Sequence, residues 1–222
     1  MLSSIESGEY MFKYVLFDFD GTLIDTNDLI TRSLTETARK FLNIDLSKQD
    51  VKAILGMTLE EQMKYMSQTM WQQMLAYYKE FYKSNHDMMI KEFPGIRHML
   101  HSLKAHGCKT AIVSSKGRNG IKRGLEYLQL EGYIDVVISA YDVKNCKPHP
   151  EPALKALELL EGQSDPALMV GDSPYDILCA KNSGISSVLV GWSIFPKAEI
   201  LRLNPDFVAK TPEDLVKIVL GK

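Results

Sequence analysis

Apolar positions along the chain follow two periods. Tyr14–Phe17, Thr110–Val113, Val136–Ile138, Leu168–Val170 and Ser187–Val190 are short runs of the kind that strands buried on both faces of a parallel sheet produce. Between them the period becomes helical: Ile96–His106, stopped by Gly107, then about Asn119 to Leu128, Glu151–Leu160, Pro174–Asn182, and a last helix opened by Thr211–Pro212. Repeated β-α units of this kind predict an α/β fold, a parallel sheet with helices on both faces.

One long stretch breaks the alternation. From Asn27 to Glu92 the periodicity is helical and no strand is evident. Leu29, Ile30, Leu34, Ala38, Phe41 and Leu42 share one helical face, and Ser47 with Asp50 opens a second helix that Gly56 ends. Thr58 with Glu61 makes a capping box for a third, and a fourth spans about Met70 to Asn85. Met63, Met66, Met70, Trp71, Met74, Tyr77 and Phe81 recur at helical spacings and are expected to fill the inside of this insertion. The division expected is therefore residues 1–26 and 93–222 as an α/β core and 27–92 as a helical cap, hinged at Thr26–Asn27 and Phe93–Gly95. The polar residues before Met11 read as a loose extension or a misassigned start.

Composition narrows the function classes. A formal charge of −2 over 222 residues leaves no electrostatic footprint for nucleic acid. No stretch has the apolar length of a membrane span, and the opening residues lack the pattern of a secretory signal, so a cytoplasmic protein is the expectation. Cys108, Cys146 and Cys179 lie in unrelated segments without CxxC spacing and read as free thiols. Cys146 and His149 lack the second ligand pair a structural zinc site needs. His86, His98, His101 and His106 sit in helical, charged surroundings and read as surface or core residues.

The chemistry gathers where apolar runs end. DFDGT, Asp18 to Thr22, follows the first run directly, and GDSPYD places Asp172 at a strand end and Asp176 in the first turn of the next helix. Ser114, Ser115 and Lys116 follow Thr110–Val113, and the loop after Val136–Ile138 carries Lys147 in KPHP. In open parallel sheets the ligand crevice lies beyond the carboxyl ends of the strands, so one crevice can collect three acids, a hydroxyl and an ammonium. Lys116, Arg118, Lys122 and Arg123 form a basic cluster at the same rim, readable as an anion attractor or a solvated helix face. Neither GxxxxGK[ST] nor GxGxxG is present, which disfavours an ATP-dependent kinase or a dehydrogenase.

This ordered set, DxDGT, a strand-end Ser, the Lys of a KP pair and GDSxxD, resembles the haloacid dehalogenase superfamily over nearly the whole chain. TLIDTN, KPHPEPALKALELL and VGDSPYDILCAKNSG are most similar to its phosphoglycolate phosphatases and bacillary pyrophosphatases. The resemblance implies a Rossmann-like core and an aspartyl-phosphate mechanism, with Asp18 as nucleophile and Asp20 as general acid and then base. It implies magnesium held by the Asp18 side chain, the Asp20 carbonyl and the Asp172 side chain. Asp176 then orients a ligand or water, or serves as a first-turn acid. Lys147 and Ser114 face the phosphoryl group, and the amides of Phe19, Asp20 and Ser115 complete the cradle. The partner implied is a small phosphorylated metabolite, phosphoglycolate or pyrophosphate foremost, under a cap over a narrow crevice. The nearest rival is a sugar phosphomutase of the same superfamily, against which Thr22 stands. A non-catalytic phospho-aspartate signalling domain is more distant, since such domains carry no large insertion after the first strand. Oligomeric state is not readable.

Overall fold

The computed structural model describes residues 11–192 and 194–222, so the stretch before Met11 lies outside the described residues. The described strands, in chain order, are β1 (Tyr14–Phe17), β2 (Ile24–Asp25), β3 (Lys91–Glu92), β4 (Lys109–Val113), β5 (Val136–Ile138), β6 (Ala167–Gly171), β7 (Ser186–Val190) and β8 (Phe207–Ala209). Six of them form a parallel sheet in the order β5-β4-β1-β6-β7-β8. β1 is thus interior, and Val15, Leu16 and Phe17 are 0% exposed.

Alternation along β1 divides the core into two layers. Val15 and Phe17 face Ile96, Leu100, Ile121 and Leu215, carried by α5 (Ile96–Ala105), α6 (Arg118–Leu128) and α10 (Pro212–Leu220). Tyr14 and Leu16 face Ala153, Ala156, Cys179 and Ala180 of α7 (Glu151–Leu159) and α8 (Pro174–Ser183). Each fully buried aliphatic or aromatic side chain contributes about 1.5–3 kcal/mol, which is why the β1 register has no slack.

Two elements of the sheet region escape the periodic reading. β8 is a three-residue edge strand, and α9 (Lys197–Leu201) has five residues. Both are too short to show a period. β8 is held by its parallel ladder on β7 and, just before it, by bonds between distant segments: Asp206 Oδ2 accepts from the Ser187 amide (2.8 Å) and hydroxyl (2.7 Å), and the Asp206 amide donates to Ser187 Oγ (3.0 Å).

At the other edge, Asp135 ties β5 to β4. Its Oδ2 accepts from the Thr110 amide at 2.8 Å, and its Oδ1 from Lys104 Nζ at 2.6 Å. Burial pushes this carboxyl up, but Lys104 and Thr110 outweigh it and hold it below the ordinary range. A depressed carboxyl adds stability above its unfolded value and loses it as pH falls through the folded value. Asp135→Ala is therefore expected to cost about 1–3 kcal/mol at pH 7. Urea melts should show that deficit shrinking below about pH 4, and an unchanged deficit at pH 3 would contradict this role for Asp135.

The inserted helices are α1 (Asn27–Leu42), α2 (Lys48–Ile54), α3 (Leu59–Met66) and α4 (Trp71–Met89). Both capping boxes form, Ser47 with Asp50 and Thr58 with Glu61. Leu34, Val51, Ile54, Met63, Met74 and Tyr78 build a hydrophobic cluster separate from those of the sheet. Two expectations change here. Tyr77 and Phe81 are only half-buried, Tyr77 lying under Lys40 Nζ at 3.8 Å, while Tyr78 goes inside. Lys91–Glu92, inside the stretch expected to hold no strand, pairs antiparallel with Ile24–Asp25. Both chain connections to the insertion therefore run through one two-stranded ribbon.

Candidate active site

The end of β1 delivers Asp18 to the carboxyl edge of the sheet, where its amide donates to the Val170 carbonyl of β6 at 2.8 Å. Lys147, from the loop after β5, reaches the same point: its Nζ lies 2.8 Å from Asp18 Oδ1 and 2.6 Å from Asp176 Oδ1. Asp176 is fixed by its own helix, its Oδ2 accepting from the Ser173 amide (3.0 Å) and hydroxyl (2.6 Å). It thus caps α8 and anchors Lys147, which describes it more closely than a first-turn acid alone. Asp172 follows β6 and is 3% exposed.

Carboxylate oxygens of Asp18, Asp172 and Asp176 lie within 4.8 Å of one another, with the Lys147 ammonium on Asp18 and Asp176. Burial, opposed by Lys147 and aided by Asp176, pushes the Asp18 carboxyl up to about 6. Burial, then Asp176 and Asp18, push Asp172 well above the carboxylate range. Burial disfavours the Lys147 charge, but Asp176 and Asp18 more than compensate and hold it above the ordinary lysine range. A crowded, buried carboxylate set with an all-oxygen donor inventory suits a hard divalent cation such as magnesium. Cys146 and His149 do not join it: the Cys146 thiol donates to the Ala140 carbonyl and the Cys179 thiol to that of His149.

Gly21 permits this crowding. Its φ is +80°, and a Cβ there would come within 2.6 Å of Asp172 Oδ2, so only glycine keeps the DFDGT turn against Asp172. The Phe19 side chain is 0% exposed in the core, leaving only its main chain for a ligand. Ser114, at the end of β4, is 8% exposed, and its Oγ accepts from the Lys116 amide at 3.3 Å.

Asp20 is not part of this cluster and has partners of its own. Lys116 Nζ lies 2.7 and 2.9 Å from its two oxygens, and Thr26 Oγ1 donates to its Oδ1 at 2.7 Å. Lys116 Nζ also donates to Tyr82 Oη of α4 at 2.7 Å. Burial disfavours the Lys116 charge, but Asp20 and Tyr82 outweigh it and raise this lysine above its ordinary value. Lys116 is therefore a half-buried ion-pair partner, its side chain 14% exposed beside the crevice. The remaining rim cations do sit at the surface, Lys122 near Glu126, Arg118 on Asp142 and Arg123 on Asp87.

Between core and insertion lies a crevice of about 1480 Å3, lined by Asp18, Asp20, Ser114, Lys147 and Asp172 below and by Gln62, Tyr78, Tyr82 and His86 above. It is wider than the narrow cleft expected, and larger than the roughly 300–1,000 Å3 usual for small-ligand pockets. Three buried side-chain atoms among the described residues lack a hydrogen-bond partner: Gln62 Oε1, His86 Nε2 and Ser115 Oγ. All three residues line this crevice. Native proteins rarely leave such atoms unpaired, and these three side chains gather around one crevice. His86 is 1% exposed, and burial, opposed by its Asp87 bond, holds its imidazole below the usual value. The available sequence signal is the i, i+4, i+8 spacing of Tyr78, Tyr82 and His86, one position along from the stripe read as core.

The chain is similar to known proteins over most of its length. The profile of the haloacid dehalogenase-like hydrolases matches residues 15–190. The protein named "Putative pyrophosphatase PpaX" of Caldanaerobacter subterraneus subsp. tengcongensis is 41% identical over 207 residues, covering 93% of this chain and 94% of the relative. The pyrophosphatase PpaX of Bacillus cereus is 36% identical over 205 residues, covering 92% and 95%. A crystal structure from Lactobacillus plantarum, described as that of a "putative phosphoglycolate phosphatase", superposes with a TM-score of 0.83 at 25% identity, over 93% of this chain and 99% of that one. The chain belongs to the haloacid dehalogenase-like hydrolase family and is a phosphatase within it.

Proposed function

We propose that the protein hydrolyses a small phosphorylated metabolite, pyrophosphate or phosphoglycolate, with magnesium and through a phospho-Asp18 intermediate. The observation that carries this reading is Asp18 on Lys147 among buried carboxylates, at the floor of the crevice. The names of the relatives supply the two candidate substrates.

An Asp18 oxygen attacks phosphorus, the bond to the leaving oxygen breaks, and Asp20 gives that oxygen a proton. Asp20 then takes a proton from water, which attacks the phospho-Asp18 phosphorus, releasing inorganic phosphate and restoring the Asp18 carboxylate. Lys147 holds Asp18 in place and balances charge on the transferring group, with Asp176 fixing Lys147. Ser114, with the Ser115, Phe19 and Asp20 amides, holds phosphate oxygens. The Asp18 and Asp172 side chains and the Asp20 carbonyl are the residues that would hold magnesium, which when bound supplies positive charge to the phosphoryl oxygens. Residues 27–92 act as a cap that closes on the β2–β3 ribbon.

The test is phosphate release from pyrophosphate, phosphoglycolate, sugar phosphates and an aryl phosphate at matched concentration, with magnesium and then with chelator. One of the first two should exceed every sugar phosphate by at least about tenfold in kcat/KM, and chelation should remove turnover. Rearrangement of a sugar phosphate without phosphate release would point to a mutase and overturn the proposal.

Closure also makes Gly56 informative. It has φ +94°, and a Cβ there would come within 2.4 Å of the Tyr175 ring on α8. Gly56→Ala adds about 1–2 kcal/mol of left-handed strain and pushes the α2–α3 connection off the core. The expected result is a loss of roughly tenfold or more in kcat/KM while the variant still melts cooperatively. Full activity would show that this contact plays no part in closure.

A further inference from the structure

One loop of the core reaches both the catalytic turn and the insertion. After β7 the Gly191 amide donates to the Ala209 carbonyl of β8 at 2.7 Å, which fixes where the loop leaves the sheet. Trp192 then meets the turn that follows β1: its Nε1–H donates to the Thr22 carbonyl at 3.0 Å, across 170 positions of sequence. Its ring packs on Phe93, the centroids 6.2 Å apart. Thr22 lies just before β2 and Phe93 just after β3, so one side chain holds the core end of both ribbon strands. Glu92 of β3 is tied to the core as well, accepting from the Arg97 amide (2.8 Å) and Nη2 (2.9 Å). Thr22 is 1% exposed, and its hydroxyl donates to Asp172 Oδ1 at 3.5 Å, so the Trp192 bond falls on a residue that touches the acid cluster. Farther along the loop, Ile194 and Phe195 line the crevice and pack against the hydrophobic cluster of the insertion. Phe195 also packs on Ile177, Leu189 and Ile200 of the core.

Resting on the hydrolase reading above, we propose that Trp192 is a positioning residue for phosphoryl transfer, and that its loop carries the seating of the insertion, through Ile194 and Phe195, to the turn that bears Asp18 and Asp20. Trp192 itself stands outside the crevice lining, so it acts through Thr22. The N–H bond gives the buried Thr22 peptide one orientation. Without it the carbonyl is left unpaired, and the turn relaxes toward any other donor within reach. In-line attack tolerates little of this, because a displacement of about 1 Å costs on the order of 10²-fold. Phe195, packed between the cap and core clusters, makes the position of the loop depend on where the insertion sits. Docking of the cap and placement of the nucleophile's turn are thereby joined by a contact outside the covalent hinge.

The test measures kcat and KM of the full chain with the better of pyrophosphate or phosphoglycolate and with an aryl phosphate, well below the melting temperature of each variant. Trp192→Phe keeps an aromatic ring against Phe93 and deletes the N–H. It should lower kcat by roughly tenfold or more on both substrates and leave KM within about threefold, the pattern of an interaction felt in the transition state. Phe195→Ala should lower kcat on the small substrate by a similar factor. The double variant should lose little more than the larger single loss, because both changes act through one loop. A purely structural role would lower the melting temperature and leave kcat of the folded enzyme unchanged, which overturns the proposal. Single losses that multiply in the double variant overturn it too, since the two contacts then work separately. Phe195 is half-buried, so its variant decides the matter if Trp192→Phe does not fold: an unchanged kcat overturns the proposal. Wild-type protein that releases phosphate from none of these substrates removes the hydrolase reading and this inference together. An active wild type with either overturning result removes only the inference.

Discussion

Asp18→Asn is expected to fold and to lose phosphatase turnover by at least about 10³-fold, because an amide cannot form the aspartyl phosphate. The fold should tolerate the change. Burial already pushes the Asp18 carboxyl up to about 6, so its ionised form is disfavoured at neutral pH relative to the unfolded chain, where the carboxyl titrates near its ordinary value. A neutral amide removes that cost, and Lys147 keeps Asp176 at 2.6 Å. The melting temperature should therefore be no lower than that of the wild type, measured beside phosphate release on the best substrate. Residual turnover above about one per cent in a folded Asp18→Asn protein would assign the nucleophile elsewhere.

Asp20→Asn is expected to produce the second-largest loss, and an uneven one. General acid catalysis contributes about 10²–10⁴-fold where the leaving oxygen is a strong base. An alkyl phosphate should lose activity on that scale, whereas formation of phospho-Asp18 from an aryl phosphate, whose phenolate leaves unaided, should fall far less. Single-turnover phosphorylation rates across leaving groups of different basicity give the measurement. A uniform loss would mean that Asp20 acts by position or charge and donates no proton. The substitution also replaces the carboxylate partner of Lys116, so the stability of the variant should be read in the same experiment.

The acid cluster is legible in the sequence because its determinants are local. An apolar run that ends at Asp18, or at Asp172, places that residue at the carboxyl end of a parallel strand whichever strands flank it. Asp176 lies four residues on in a helix that Ser173 and Pro174 open, so its approach to the strand end is dictated by short-range geometry. The capping boxes at Ser47 and Thr58 are readable for the same reason.

What stays hidden in the sequence depends on distances it does not encode. Lys116 meets Asp20 across 96 positions and Tyr82 across 34, so from its neighbours alone it reads as one more rim cation. The α4 pattern allows two adjacent apolar faces, and only packing on α1 and the core turns Tyr78, Tyr82 and His86 to the crevice while Tyr77 lies under Lys40. β8 and the Lys91–Glu92 strand carry too few residues for any period and exist through partners elsewhere in the chain. The sequence by itself determined which polar groups stand at which strand ends, because an apolar run buried on both faces of the sheet ends where the chain turns polar. Tertiary structure alone decided which of those groups are paired while the crevice is empty, because an ion pair forms between whichever charges the packed cap and core bring within reach.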